Sequence, residues 1–169
     1  MIVRHHEGDG CASAARYSDC ERYRYDLTRT WEPSGPKALF VMLNPSTATE
    51  LANDPTIARV ERRARRMGFG AYRVCNLFAW RATRPDQLLR AAAPVGPDND
   101  DVLAEACCWA DQVICAWGNH GEFGHRGIEV ERLLRRTARR LFHLGLTLRG
   151  HPKHPLYLPY SAQAAEWRA

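Results

Sequence analysis

The chain has 169 residues and a net charge of +5, with 45% hydrophobic and 25% charged residues and a pI of about 9.1. These values are typical of one globular domain with a sizeable core. No uncharged run approaches the roughly 20 residues that a bilayer-spanning helix needs, so we expect no membrane partner. The basic balance favours a polyanionic partner, although a basic protein without one has the same composition.

We predict a single domain over residues 1–169, with a mobile N-terminus at residues 1–10 and a tail at residues 161–169. The six cysteines include no Cys-x-x-Cys pair, and Cys75 and Cys115 lie in apolar runs. Buried free thiols are typical of a reducing compartment, and the N-terminus has no apolar run of signal-peptide length. We therefore expect a cytoplasmic protein.

The first predicted strand lies in an aromatic and basic segment, residues 11–37. Within it, residues 22–27 (RYRYDL) alternate in type, which indicates an edge strand. The interleaved arginine and tyrosine side chains suit contact with nucleic acid by stacking and charge. The alternative, which we favour, is that the rings pack inward.

An apolar run predicts a strand over residues 38–44 that is buried on both faces and ends before Pro45. Asp54 followed by Pro55 is typical of a helix start, and this helix is predicted to run to Met67. One face of the helix is interpreted as solvated, with phosphate contact as the alternative. That face carries Arg59, Arg62, Arg63 and Arg66.

Three further strands are predicted at residues 72–79, 112–117 and 141–148, with helices at residues 98–110 and 127–140 between them. Such alternation indicates parallel strands joined by right-handed crossovers. We therefore predict an α/β fold. It is a three-layer α/β/α sandwich with a central, mostly parallel sheet of four to five strands, the fifth at its edge.

Each predicted strand ends in polar residues, and the carboxyl ends of parallel strands meet at one edge of a sheet. Amide groups suit the edge of a nucleobase and aromatic rings suit its face, while a histidine can stabilise the charge on a departing base. The chain has no P-loop, dinucleotide-binding or Gly-x-Ser-x-Gly motif, and its histidine spacings match no zinc pattern. We therefore expect a base- or nucleotide-binding site with no metal and no cofactor.

Four short strings are specific as a set: LNPSTA at residues 43–48, NLFAWRAT at residues 76–83, WG at residues 117–118 and HPLYL at residues 154–158. They resemble an uncharacterised bacterial and phage family, domain-of-unknown-function family 1643. The resemblance covers nearly the whole chain, and that family has no firmly assigned activity.

The same four strings, in the same order, more distantly resemble the uracil-DNA glycosylase superfamily. The resemblance implies that Asn44 positions the attacking water, that Asn76 reads the base edge and that His154 faces the leaving base. Trp117 and the glycine after it correspond to a structural strand end. The most active members of the superfamily have Asp where this chain has Asn44, which implies weaker activation of water. His151 is the alternative to His154 in the final loop.

The predicted site has three groups of residues and no metal ligands. The catalytic residues are Asn44 and His154. The base- or nucleotide-binding residues are Asn76, Phe78, Ser46, Thr47, Trp117, Asn119, His120 and His151. The phosphate-binding residues are Arg81, Arg84 and Lys153.

The predicted function is that of a nucleobase-recognising protein, an N-glycosidic hydrolase of the uracil-DNA-glycosylase type. Its partner is expected to be DNA or a nucleotide carrying an unknown base, including a modified one, and a duplex target has to be flipped out of the stack. One alternative is a nucleotide or modified-base processing enzyme of another class in a phage-defence or DNA-modification setting. The other is a non-catalytic nucleic-acid- or nucleotide-binding module.

Overall fold

Eight β-strands form one sheet in the computed structural model, which describes residues 1–138 and 140–168. Their order across the sheet is β1-β2-β3-β5-β4-β6-β7-β8. The strands are Ile2–Gly8 (β1), Cys11–Tyr17 (β2), Arg24–Thr30 (β3), Lys37–Met42 (β4), Ala71–Asn76 (β5), Gln112–Cys115 (β6), Leu141–His143 (β7) and Ala165–Glu166 (β8).

The four strands expected at the centre are all present and parallel, in the order β5-β4-β6-β7. The α/β class is confirmed, but the sheet is mixed and larger than predicted. Four of its seven strand pairings are antiparallel, because β1, β2 and β3 form a meander on one side and β8 pairs with β7 on the other. The prediction of a mostly parallel sheet of four to five strands is therefore wrong for the sheet as a whole.

The N-terminal hairpin occupies residues predicted as a mobile terminus. β1 and β2 are joined by Asp9 and Gly10, which have φ angles of 52° and 71°. Two such residues form the two-residue turn whose twist matches that of paired antiparallel strands. Residues 2–8 are thus a regular strand at the edge of the sheet.

The strand β3 corrects the prediction of an edge strand over residues 22–27. It begins at Arg24 and pairs on one side with β2 and on the other with β5. Tyr17 and Tyr25 are fully buried, and Arg16 is ion-paired to Asp26 at 2.5 Å. The inward-packed alternative is therefore the correct one for these two rings, which offer no stacking surface to nucleic acid.

Helices lie on both faces of the sheet. They are Pro55–Arg66 (α1), Pro85–Arg90 (α2), Asn99–Trp109 (α3) and Arg126–Thr137 (α4), with 3₁₀ segments at Asn119–His125 and Pro155–Tyr157. Alternate residues of β4 divide the core, since Leu39 and Val41 pack with α3 and α4 while Phe40 packs with α1. Within the described residues, none of these helices has both the length and the hydropathy for a bilayer crossing.

The arginine face of α1 is only partly solvated, since Arg62 and Arg66 are exposed but Arg63 is buried. Arg63 is buried and donates hydrogen bonds to the main-chain carbonyls of Leu158, Pro159 and Ala162. The four arginines of this face surround the ring of Tyr160, with guanidinium carbons 4.6–5.4 Å from its centroid. The helix therefore holds the C-terminal segment against the sheet. The predicted tail at residues 161–169 includes β8.

Candidate functional site

A cavity of about 670 Å³ opens where β4 and β6 end. The loop before α1, the turn after β6 and the loop that follows β7 form its walls, as expected for the carboxyl edge of a parallel sheet. The residues that line it include Arg24, Met42, Asn44, Ser46, Asp54, Thr56, Ile57, Ala82, Arg84, Trp117, Gly118, Asn119, His120, Thr147, Lys153, His154, Leu156 and Tyr157.

Asn44 is half-buried and lies in the turn that follows β4. Its Nδ2 donates to the main-chain carbonyls of Pro45, at 3.0 Å, and Ala82, at 2.9 Å. These two bonds fix the orientation of the amide, since only its nitrogen can donate. The side-chain oxygen accepts no hydrogen bond from the described residues and is available to a water or a ligand.

His154 precedes the 3₁₀ segment Pro155–Tyr157, and its Nδ1 accepts a hydrogen bond from the main-chain N–H of Leu156 at 3.2 Å. In the neutral ring the proton therefore lies on Nε2, which becomes a donor. Burial lowers the pKa of His154 below its ordinary value, and the nearby carboxylate of Asp54 opposes this shift. The ring is thus a neutral hydrogen-bond donor at pH 7.

The turn after β6 brings three predicted residues to the cavity. Gly118 has a φ of 74°, and its N–H donates to the carbonyl of Pro152 at 2.7 Å, which joins this turn to the final loop. Trp117 is buried, and its indole N–H has no partner among the described residues. Asn119 accepts a hydrogen bond from the hydroxyl of Thr147 at 2.7 Å, and His120 is exposed.

Three more predicted residues lie on the wall and rim of the cavity. Ser46 is half-buried, whereas Arg84 and Lys153 are exposed. Arg84 is paired with Asp86 at 3.1 Å on the surface. Lys153 forms no ion pair with the described residues, so the rim carries positive charge in contact with solvent.

Other predicted residues lie outside this cavity. Thr47 and Arg81 line a neighbouring shallow groove, and Arg81 donates to the carbonyl of Glu21 at 3.3 Å. His151 lines a separate cavity of about 540 Å³, where its Nε2 lies 3.0 Å from a carboxylate oxygen of Glu122. The two candidate loop histidines therefore line different cavities, and His154 is the one that shares a cavity with Asn44.

Asn76, the last residue of β5, and Phe78, two residues beyond it, are not among the residues that line the cavity. Asn76 is 0% exposed, and neither atom of its amide has a partner among the described residues. It lies beside Met42, a lining residue, in the register of β4 and β5. Phe78 is buried against Phe123, with ring centroids 5.5 Å apart, on the face that packs with α3 and α4.

Several lining residues were not predicted as part of the site. Asp54 was interpreted only as a helix cap, and it does accept the N–H of Ile57 at 2.8 Å as well as that of Ala48 at 3.2 Å. The start of a helix after a parallel strand lies at the same edge as the strand end, so this signal was present in the sequence. No comparable signal marked Arg24, which reaches the cavity from β3.

The lining is rich in hydrogen-bond donors and poor in acids. Asp54 is the one carboxylate among the described residues of the wall. Among residues 1–138 and 140–168, no group of three or more His, Cys, Asp or Glu side chains is placed to hold a metal ion. Such a wall suits a polar ligand that offers acceptors and negative charge.

Fold and site thus define an α/β protein with a donor-rich cavity at the carboxyl edge of its parallel strands. Residues 24–156 match the family described as "Protein of unknown function (DUF1643)", and the chain belongs to this family. A search of curated proteins and a search of solved structures found no match. The resemblance to the uracil-DNA glycosylases therefore rests on the sequence strings alone.

Proposed function

We propose that the cavity binds a nucleobase or nucleotide and that the chain hydrolyses an N-glycosidic bond in DNA or a nucleotide, as uracil-DNA glycosylases do. The single observation that carries this proposal is that Asn44 and His154 line one cavity. Asn44 follows β4, the first parallel strand along the chain, and His154 follows β7, the last one. A sheet with these two residues on opposite edges would be incompatible with the proposal.

His154 supplies the chemistry expected at a leaving base. Its Nε2–H is a donor because Nδ1 already accepts from the N–H of Leu156. A fixed neutral donor stabilises the negative charge that develops on the base oxygen as the bond to the sugar breaks. Burial keeps the ring neutral by lowering its pKa.

Asn44 supplies an acceptor for the attacking water. Its Nδ2 is held by two carbonyls, so its oxygen is oriented without further cost when a water binds. An amide oxygen orients a water but does not take its proton at neutral pH, and we therefore expect slow turnover.

Aromatic surface for the face of a base is present at the mouth of the cavity. Tyr157 is 84% exposed, and its ring centroid lies 6.3 Å from that of His154. Stacking on an exposed aromatic ring is sequence-tolerant, because every base has a π face. Tyr157 therefore replaces the buried Phe78 as the stacking residue in this proposal.

One observation favours a second candidate, a binding module without hydrolysis. Asp54, the one carboxylate of the described lining, accepts two main-chain N–H groups. Both of its oxygens are engaged, so it is poorly suited to act as a general base.

We also propose a reducing, cytoplasmic location for the protein. The six free cysteines, three of them buried, agree with this location.

The test is a screen of the purified protein against oligonucleotides and free nucleotides that carry uracil, hypoxanthine or hypermodified pyrimidines. Alkali-labile abasic sites or released free base support hydrolysis. His154→Ala should reduce the rate by about 10²–10³, the usual effect of removing one such donor. His151→Ala is the matched control and should do less, because His151 lines another cavity. Binding without any released base would favour the module.

A further inference from the structure

Arg24 is the most unusual charged residue of the cavity wall. Only 1% of its surface is exposed, yet it lines the cavity. A register shift in the pairing of β2 with β3 lies at Tyr17, which is the partner of Arg24 in that register. The guanidinium is therefore presented from the meander strands to a site otherwise built by the parallel strands.

The charge of Arg24 is not neutralised by the protein. Among the described residues it forms no ion pair, and its one hydrogen bond runs from Nη1 to the carbonyl of Ala48 at 2.5 Å. Its Nε is buried without a partner. A guanidinium has five N–H donors, so most of them are unused. Burial of an unpaired charge is costly, and this cost lowers the pKa of Arg24 to about 10.

The other buried arginines of the described residues, Arg29, Arg63 and Arg126, each have more hydrogen-bond partners than Arg24. Arg126 pairs with Asp100 and Glu129, and Arg63 donates to three main-chain carbonyls. The contrast indicates that Arg24 is kept for a partner that arrives from the cavity. The carboxylate that acts on Arg24 is that of Asp54, and both of its oxygens already accept main-chain N–H groups.

A second feature of the same wall also favours an anion. The first turn of α1, a helix of 12 residues, lines the cavity through Thr56 and Ile57. The side chain of Asp54 accepts a hydrogen bond from the N–H of Ile57, while the N–H of Thr56 has no partner among the described residues. The amino end of a helix carries partial positive charge and free N–H groups, which together attract anions.

We propose that Arg24 and the first turn of α1 bind the phosphate of a free mononucleotide, whose base and sugar then lie against Asn44 and His154. The assignment of the base end rests on the proposed function, whereas the phosphate end stands on Arg24 and α1. A cavity of about 670 Å³ is within the range that holds small ligands. Free nucleotide is thus selected over a base flipped from a duplex, since an internal DNA phosphate stays on the backbone outside a pocket of this kind.

The experiment is isothermal titration of the full chain with inorganic phosphate, with deoxynucleosides and with the corresponding 5′-monophosphates. We expect phosphate to bind, and each monophosphate to bind more tightly than its nucleoside. Arg24→Gln should lower affinity for the monophosphates by about 10- to 100-fold, the usual effect of losing charge-assisted hydrogen bonds, and leave the nucleosides unchanged. Arg132→Gln, an exposed residue of α4, is the charge-matched control and should have no effect.

Unfolding of the same variants separates ligand binding from a structural role. Arg24→Gln should be as stable as the wild type or more stable, because it removes an unpaired buried charge. Arg63→Gln should lose stability, since it leaves three carbonyls without their donor. Arg24→Lys keeps the charge but loses the planar fork, and should bind monophosphates with intermediate affinity.

Absence of phosphate binding by the wild type, or equal phosphate affinity of wild type and Arg24→Gln, would overturn the inference. Loss of stability in Arg24→Gln as large as that in Arg63→Gln would also overturn it. Arg24-dependent phosphate binding without release of base leaves the inference standing and contradicts hydrolysis. Cleavage of oligonucleotides at the same rate by the wild type and by Arg24→Gln would support hydrolysis and contradict the inference about Arg24.

Discussion

The side-chain amide of Asn44 donates a hydrogen bond to the main-chain carbonyl of Ala82 at 2.9 Å, which ties the end of β4 to the turn that follows β5. The same nitrogen donates to the carbonyl of Pro45 at 3.0 Å. An amide is therefore required at this position for a local reason, since a carboxylate at neutral pH cannot donate.

Asn44→Asp should lower the free energy of unfolding by about 1–3 kcal/mol at pH 7, because carboxylate oxygens would face two carbonyls. The loss should shrink as the pH falls and the carboxyl group takes up a proton that it can donate. Urea unfolding measures both effects. Asn119→Asp is the control, because Asn119 uses its oxygen as an acceptor from Thr147 and a carboxylate preserves that bond. Equal stability of the two variants would contradict the prediction.

Two buried asparagines should respond oppositely to the loss of their amides. Asn99 donates to the carbonyls of Asn76 and Leu77 at 3.0 and 3.1 Å, so Asn99→Leu leaves buried acceptors and should cost about 1–3 kcal/mol. Asn76 has no partner for its amide among the described residues, so Asn76→Leu should cost less. Denaturant midpoints decide the order, and a larger loss at Asn76 would contradict it. If Asn76 reads a base edge, its variant should also change base preference.

Stability should depend on pH through His154. Its folded pKa lies below the ordinary value of 6.5, so the unfolded chain binds the proton more readily. The stabilisation from the neutral ring is complete above about pH 6.5 and is lost as the pH falls through the folded pKa. The stability difference between the wild type and His154→Gln should therefore decrease from pH 7 downward.

The same measurement needs a control, since burial also lowers the pKa of His143. His143→Gln reports that contribution separately. A difference between wild type and His154→Gln that stays constant from pH 7 to pH 5 would contradict the assignment of a neutral, buried ring.

The cysteines should divide into two classes in a thiol-labelling experiment on the native protein. Cys20 and Cys108 are exposed, and a hydrogen bond with Ser18 lowers the pKa of Cys20. Cys75 and Cys115 are fully buried, and burial raises the pKa of both. Since the thiolate is the reactive form, peptide mass spectrometry should find Cys20 labelled first and the buried pair last. Rapid labelling of the buried pair without denaturant would contradict this.

The central parallel strands and the helix α1 could be predicted from the sequence because their signals are local. An apolar run that stops at Pro45 and an Asp54-Pro55 helix start need no knowledge of the rest of the chain. The alternation of strands and helices then brings Asn44 and His154 to one edge, since right-handed crossovers return each strand in the same direction. The turn at Asp9 and Gly10 is an equally local hairpin signal that the prediction did not use.

Tertiary structure alone decided which side chains face the cavity. Asn76 lies at the carboxyl end of β5, yet its amide is buried, because the strands and helices packed around it determine its exposure. The face of α1 that carries Arg63 reads as solvated, but a segment 95 residues further along the chain covers it. Arg24 reaches the site from a strand whose pairing with β5 joins distant parts of the sequence. Burial and charge compensation depend on contacts between such distant segments, whereas a sequence pattern reports only the neighbours along the chain.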